Sequence, residues 1–542
     1  MNLSKAKREK MLEFLSQLKN QQTDETSIHT INEIEQALTE KKYGLVWEEH
    51  TESTVDILKD NIPVFSQDNT KSINSNPDDG YNFLLEGDNL HSLLLLEKTH
   101  SRKIDVIYID PPYNTGNKDF VYSDQIVGNE DAFRHSKWIS FMRRRLVIAR
   151  RLLTDDGIIF ISIDDNEFAP LRLLCDEVFG AERFITAAVW KRRASSAMAS
   201  RNISVDHEYV LIYCMEKRER FFGQVKDNKV YSNPDNDPRG PWTTGDLTVG
   251  MTSEMRPNQY YDLKDPSTGK VYKPSKSRVW SYIPSSMDKL IAENRIVFPK
   301  STDRRPMKKR FLSELKSDTN PMSSWITNVG LNTEGTKTIK SIFGSTVFSY
   351  PKPVSLIKYL IQQVNSNDCT VLDFFAGSGT TGAAVLELNK EDNGKRKFIL
   401  CTNNENNLCE TVTYPRLKTI ISGIRGDGSV YSDGLPANLL YYNTKMIKRY
   451  PKIDSLRELT LEHTREMIQL ENMQILDRLH VAIFDEEEIE ETIINSQPNS
   501  TIYVASDVFL NNKQLNSLEE KGCDVVMVPD YYFNYELKEV GE

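Results

Sequence analysis
Apolar positions at the start of the chain recur at helical spacing: Met11, Phe14, Leu15 and Leu18 fall on one face, and a second periodic stretch begins near Ile31. Residues 1–70 are therefore expected to be helical, and the polar stretch from Gln67 to Gly80, with Asn74, Asn76 and Pro77, to be a linker. From Tyr81 the rhythm alternates. The run FLLEGD is followed by the leucine-rich NLHSLLLLEKTH, and then by IDVIYID, a β-rich run that ends at Asp110. A long helix is expected over 131–153, where Ile139, Met142, Leu146, Ala149 and Leu153 share a face. The DDG turn should stop it, and GIIFISI (157–163) reads as a strand buried on both sides. A helix over 171–179 then precedes strands at 185–190 and 209–214. Strand and helix alternating in this way point to a parallel sheet with crossover helices, an α/β fold.

The pattern breaks after residue 215. Residues 216–349 hold 10 of the 22 prolines, carry scattered Trp242, Trp280 and Trp325, and keep no sustained period. They read as an inserted, loop-rich domain with short strands. The α/β rhythm resumes in CTVLDFFAGSGTTGAAVLEL and the strand KFILCTNNE. A final segment has helices near 455–478 and three short apolar strands, HVAIF, TIYVA and DVVMV. The expected divisions are a helical region 1–70, one half of the core 81–215, the insert 216–349, the second half 350–425, and a small α/β domain 426–542.

With 542 residues, 39% hydrophobic and 27% charged, the chain can bury several cores, which excludes wholesale disorder and fibrous classes. The longest aliphatic run, Leu93 to Leu96, falls far short of the roughly 18 residues a membrane span needs. MNLSKAKREK lacks the apolar stretch of a secretory signal, so a cytoplasmic protein is expected. The six cysteines form no C-x-x-C pair and read as reduced structural thiols, with no metal expected. A net charge of -10 argues against a polyanionic partner, but the average hides an asymmetry. Residues 216–349 carry 23 Lys+Arg against 15 Asp+Glu, a local +8, while 426–542 carry 10 against 22, a local -12. The middle could face a polyanion and the tail could not. The densest basic run is Lys300, Arg304, Arg305, Lys308, Lys309 and Arg310, read as phosphate contacts with one or two bases read by arginine. Arg143, Arg144, Arg150 and Arg151 on the long helix form one polar stripe, more in keeping with a solvent-facing surface than with a ligand site.

Two places carry chemistry. In VLDFFAGSGTTGAAV an apolar strand ending near Asp373 runs into Gly377, Gly379 and Gly382 before a helix, so the backbone can approach a ligand and offer free N–H groups. A nucleotide-like cofactor is expected. The glycines also satisfy G-x-G-x-x-G, and Glu405 ends the next strand where a ribose would be held, so this turn alone leaves NAD and S-adenosylmethionine both open. The second place is Asp110, Pro111, Pro112 and Tyr113, directly after DVIYI. Two prolines fix the chain and remove two donors, leaving carbonyl acceptors beside a carboxylate and a flat ring. Such a corner suits the amino group of a nucleobase.

IDPPYNTG at 109–116, FSYPKPVSLIKYLI at 348–361 and LDFFAGSGTT at 372–381 resemble motifs IV, X and I of the β-group amino methyltransferases of DNA, in that group's permuted order. DPPYNTGNKDFVYSD, KYGLVWEEH at 42–50 and the extra C-terminal domain are similar to the modification (Mod) subunit of type III restriction systems. The resemblance implies a Rossmann-like S-adenosylmethionine-dependent fold with circularly permuted motifs, an inserted target recognition domain at 216–349 and a small C-terminal domain. It implies that Asp110 and the Pro111 carbonyl orient an adenine N6 amine, with Pro112 fixing the corner and Tyr113 stacking on the flipped base. It further implies that Asp373, Phe374, Ala376, Gly377, Gly379 and Thr380 cradle the methionine part of S-adenosylmethionine, that Lys352 and Pro353 flank it, and that Glu405 holds its ribose. Double-stranded DNA, a homodimer and a restriction (Res) helicase-nuclease subunit are the partners implied, with no membrane. No G-x-x-x-x-G-K-[ST] motif is present, so ATP-driven translocation is not expected from this chain. Cytosine-N4 methylation, a solitary methyltransferase, a dehydrogenase and a DNA-binding protein without catalysis are the alternatives.

Overall fold
A computed structural model gives the fold. It describes residues 10–11, 13–15, 47–76, 79–116, 120–122, 125–128, 130–194, 203–216, 221–301, 303–364, 366–451, 455–476 and 479–542. The helical periodicity expected around Leu18 and Ile31 lies outside these residues.

The core is a ten-stranded sheet. In chain order its strands are β1 (Asn61–Gln67), β2 (Tyr81–Glu86), β3 (Ile104–Ile109), β4 (Leu153–Ile163), β5 (Phe184–Lys191), β6 (His207–Cys214), β7 (Trp325–Ile326), β8 (Thr370–Asp373), β9 (Lys397–Thr402) and β10 (Asn438–Lys448). Across the sheet they stand as β1-β10-β2-β9-β8-β3-β4-β6-β5-β7. From β10 to β4 every neighbour is parallel, whereas β6 lies antiparallel between β4 and β5. The central strands are apolar on both faces because helices cover both: Val106, Ile107 and Ile109 of β3 and Ile158, Ile159 and Ile161 of β4 are fully buried. Among those helices are α1 (Asn89–His100), α2 (Arg134–Leu152), α3 (Phe168–Phe179), α4 (Val354–Gln362), α5 (Thr380–Asp392) and α6 (Tyr414–Ser422). Each buried Leu, Ile or Phe of this core contributes roughly 1.5–3 kcal/mol.

One feature of this order matters most for function. The chain leaves β8 through α5 toward β9, and leaves β3 through α2 toward β4, on the opposite side. Neighbouring parallel strands whose connections part in this way leave a crevice at their carboxyl ends.

Four boundaries differ from the expected ones. Residues 61–67 are a strand, not helix: Ile62 to Phe65 pair antiparallel with β10, a partner about 380 residues away that local periodicity cannot register. The helix α2 passes into β4 at Leu153, without a separate turn at DDG. A second compact unit spans 222–322, narrower than 216–349, because β7 pairs with β5 and the helix Asn332–Phe343 belongs with the larger unit. Residues 426–542 do not separate from that larger unit either. Strand β10 lies inside the main sheet, and Tyr532, Phe533 and Leu537 join its core. Within that segment β11 (His480–Ile483), β12 (Thr501–Ala505) and β13 (Asp524–Val528) form a parallel three-stranded sheet. The unit 222–322 has its own small core of Leu247, Leu263, Tyr272, Trp280, Met287 and Ile296.

The cysteines are free thiols, five of them buried. Among the described residues no cluster could hold a metal, and no helix is long and apolar enough to cross a membrane.

Candidate active site
Strands β8 and β3 pair in register, Val371 with Val106 and Leu372 with Ile107, so the glycine turn and the DPPY corner leave the sheet side by side. Both border one cavity of about 760 Å³, within the usual range for a small-molecule site. Asp110 and Pro112 line it from one lip, Phe374, Phe375 and Gly377 from the other, and Glu405 with Asn403 from the end of β9. Other walls carry no mark in the sequence, among them Phe120, Phe141 and Phe348 and a polar group of Glu52, Asp88 and Asn89. Buried Arg145 holds that group, its guanidinium 3.0 Å from Glu52 and 3.4 Å from Asp88. Burial raises the Glu52 carboxyl above its ordinary range although Arg145 opposes it. Carboxylates around aromatic faces suit a ligand that carries cationic groups and a flat ring.

The glycine turn is fixed by bonds within itself and to the next elements of the chain, β9 and α6. Asp373 is buried and accepts hydrogen bonds from the Phe375 N–H, at 3.0 Å, and from the Thr381 hydroxyl; burial pushes its carboxyl up to about 7. It holds the turn from beneath and does not line the cavity. Gly377 and Gly379 take left-handed backbone, φ 49° and 77°, and a Cβ on Gly377 would stand 3.3 Å from the Phe348 ring. The N–H of Ala376 donates to Cys401 O at 3.1 Å, tying the turn to β9. Arg416 of α6, fully buried, donates to Ser378 O at 3.1 Å and to the Thr380 hydroxyl at 2.9 Å. Thr380 is thus engaged under the turn, and burial lowers the Arg416 pKa to about 10.

The DPPY corner is fixed by partners far along the chain. Lys352, 8% exposed, lies 3.0 Å from Asp110 and 3.1 Å from Glu208, and donates to the Tyr113 hydroxyl at 2.7 Å. Tyr113 in turn donates to Glu208 at 3.1 Å, and Arg192 reaches the other Glu208 oxygen at 2.9 Å. Burial raises the Asp110 carboxyl, Lys352 pulls it back and Glu208 adds to the rise, leaving it above its ordinary range. For Glu208 burial also acts upward, but Lys352 and Arg192 outweigh it and hold the carboxyl low. Lys352 therefore stands against the corner, while Pro353 is buried as the N-cap of α4; neither lines the cavity. Of the two proline carbonyls, that of Pro112 is occupied by the Trp138 indole N–H at 2.7 Å. Asn114, with φ 54°, anchors the next residue on buried Glu167, whose carboxyl burial raises to about 8. Glu208 could have been noticed as the lone acid heading an otherwise apolar strand, HEYVLIYC.

The polar stripe of α2 is engaged within the protein: Arg143 with Glu177, Arg144 with the His50 carbonyl, Arg150 with the Val178 carbonyl and Arg151 with Glu97. In the unit 222–322 the basic run divides. Lys309, 2% exposed, is paired with Asp235 and Asp237 and packs over Trp242, so it is a structural cation and not available to a phosphate. It faces inward because it shares the inner face of the strand Met307–Phe311 with Phe311. Lys308 donates to the Tyr282 hydroxyl at 2.7 Å, whereas Lys300, Arg304, Arg305 and Arg310 are exposed.

Residues 104–413 match a family model described as DNA methylase. A type III restriction-modification enzyme StyLTI Mod subunit of Salmonella typhimurium is 38% identical over 361 residues, covering 62% of this chain and 54% of that protein. The type II methyltransferase M.KpnI of Klebsiella pneumoniae is 36% identical over 59% of this chain and 79% of its own. The EcoPI Mod subunit of Escherichia phage P1 is 32% identical over 70% of this chain and 66% of its own. The chain thus spans about half the length of the first of these relatives.

Proposed function
The chain belongs to this family of DNA methylases, and from that premise we propose that it transfers a methyl group from S-adenosylmethionine to the N6 amine of an adenine flipped out of duplex DNA, as the modification and specificity subunit of a type III restriction system. The observation that carries this reading is the adjacency of the two turns, which open on one cavity from neighbouring parallel strands.

S-adenosylmethionine would supply an electrophilic methyl on a sulfonium, which asks the protein for positioning more than for acid-base chemistry. The residues present fit such a group: Glu52 and Asp88 offer acceptors for an ammonium, Glu405 and Asn403 for ribose hydroxyls, and the phenylalanines flat apolar walls. Gly377 lets the backbone come close. Asp110, with the Pro111 carbonyl, would accept from the target amine and favour the positive charge that develops on it. Flipping the base costs a few kcal/mol, part of which stacking on Tyr113 would offset. Exposed Lys300, Arg304, Arg305 and Arg310 would meet phosphates or bases, with Lys308 beside them. Family membership favours this over a dehydrogenase, because G-x-G-x-x-G leaves the DPPY corner without a task.

The test is transfer of labelled methyl from S-adenosylmethionine to duplexes of varied sequence, with nucleosides resolved afterwards. N6-methyladenine at one sequence is expected. No label on any duplex, or label on cytosine N4, would contradict the reading. A second reading, a methyltransferase working without a restriction subunit, is favoured by the likeness to M.KpnI over 79% of that protein. Co-purification of the full chain with a Res subunit decides between them: a stable complex supports the first reading, and no complex supports the second.

A further inference from the structure
The arrangement behind the DPPY corner does more than the motif requires, and the following inference rests on the methyltransferase reading above. Lys352 sits between two carboxylates from different elements, Asp110 at the end of β3 and Glu208 at the start of β6, and its ammonium lies 4.8 Å from the Tyr113 ring centre. Its backbone is held where it is by close packing. A Cβ on Gly335 would stand 2.1 Å from Pro351 O and 3.0 Å from Lys352 O, so only glycine admits this approach. The Asp110 oxygen nearest Lys352 is shielded from solvent, yet the side chain as a whole is 27% exposed and lines the cavity. That exposure therefore belongs to the remaining side-chain atoms, the second oxygen among them.

We propose that Lys352 and Glu208 are positioning residues of the target-base pocket and not part of the cofactor site: Lys352 grips the shielded oxygen of Asp110 and the Tyr113 hydroxyl, Glu208 anchors Lys352 and Tyr113 together, and the second oxygen of Asp110 is thereby presented to the incoming amine. A target amine donates most strongly to an ionised carboxylate, which also stabilises the positive charge that develops on the nitrogen. Burial works against that state at Asp110, and Lys352 is the cation that opposes it. Two carboxylates and two cations, Lys352 and Arg192, balance within the cluster. The other titratable groups that act on it are Tyr113 in the same corner, Tyr108 of β3, Asp373 of β8, and Asp164 beyond β4.

Single-turnover methyl transfer across pH 5.5–9 on full-length wild type, Lys352→Met, Lys352→Arg and Glu208→Gln tests this, alongside calorimetric affinity for S-adenosylhomocysteine and thermal unfolding of each variant. Lys352→Met removes the cation that keeps Asp110 ionised, so its acid limb should move to higher pH and its rate at neutral pH fall by about 100-fold. Lys352→Arg should return the limb toward the wild-type position. Glu208→Gln removes a repelling carboxylate, so its limb should move to lower pH while the maximal rate falls. Affinity for S-adenosylhomocysteine should stay within about threefold throughout, and measuring it across the same pH range isolates the titration of Asp373. If Lys352→Met weakens that affinity tenfold and leaves the acid limb in place, the lysine serves the cofactor and the proposal fails. If both substitutions slow transfer without moving either limb, the residues are merely structural and it fails equally. A wild-type chain that methylates no DNA removes the underlying reading and this inference with it, whereas an active wild type with unmoved limbs in the variants removes this inference alone.

Discussion

The two lips of the cavity are built on opposite principles. The glycine turn is shaped mainly by the elements that follow it directly in the chain: Asp373 reaches Phe375 and Thr381, eight residues or fewer away, Gly377 and Gly379 supply the left-handed backbone, and Arg416, 38 residues beyond Ser378, holds it from α6. The DPPY corner is short and rigid, yet its side chains are set by Lys352, 239 residues beyond Tyr113, and by Glu208, 95 residues beyond it. A local device can be read from a string of residues, whereas a device assembled across the fold shows only the part that happens to be contiguous. The difference also assigns labour. The turn needs backbone shape to accept a ligand of fixed outline, while the corner needs a carboxylate in a defined charge state.

The substitution that separates the lips most sharply is Asp110→Ala. It should lower methyl transfer at least about 100-fold, the usual cost of losing an acceptor or donor aimed at developing charge, with affinity for S-adenosylhomocysteine unchanged. Equal loss of both would show that the lips are not independent. The reciprocal variant, Gly377→Val, places side-chain atoms against Phe348 in left-handed backbone. It should weaken the cofactor tenfold or more, about 1.4 kcal/mol, while duplex affinity measured by fluorescence anisotropy holds.

How much of this was legible follows the same division. The motif residues, α2 and the apolar strands β3 and β4 stand out because their signal is local and their burial two-sided. Glu208 did not stand out, since nothing around it in sequence says that it meets a lysine from another motif. The Arg145 cluster with Glu52 and Asp88 was invisible for the same reason, being drawn from the segment before β1, the cap of α1 and the middle of α2. Strand β1 reads as helix from local periodicity because its partner lies in β10. Lys309 stands among basic neighbours in the sequence, though alternation along Met307–Phe311 turns it inward to Asp235 and Asp237.

A smaller effect sharpens the comparison through pH. Asp373 has its carboxyl raised in the folded state to about 7 from an ordinary value near 3.8. Its contribution to stability is therefore full below the ordinary value and is lost as pH rises through about 7. Asp373→Asn keeps an acceptor for the Phe375 N–H, turns its amide NH2 as a donor toward the Thr381 hydroxyl, and cannot ionise. Thermal unfolding without cofactor should show the variant gaining on the wild type between pH 4 and 8, by on the order of a few kcal/mol. A constant difference across that range would mean that the carboxyl titrates normally.

The mildest prediction concerns the basic run. Arg304→Ala should weaken duplex binding nearly uniformly across sequences and reduce the salt slope by about one, the signature of one lost phosphate contact. Lys309→Met should instead lower the unfolding temperature of the protein and leave the salt slope alone. If the two behave alike, burial does not distinguish them.

The central claim is that one cavity serves both lips in a single reaction. A crystal structure with S-adenosylhomocysteine and a duplex containing the target site tests it most directly. The thioether sulfur should lie in the cavity between Gly377 and Asp110, turned to the adenine N6 held at the corner. A cofactor seated outside this cavity, or a sulfur directed away from Asp110, would contradict the account.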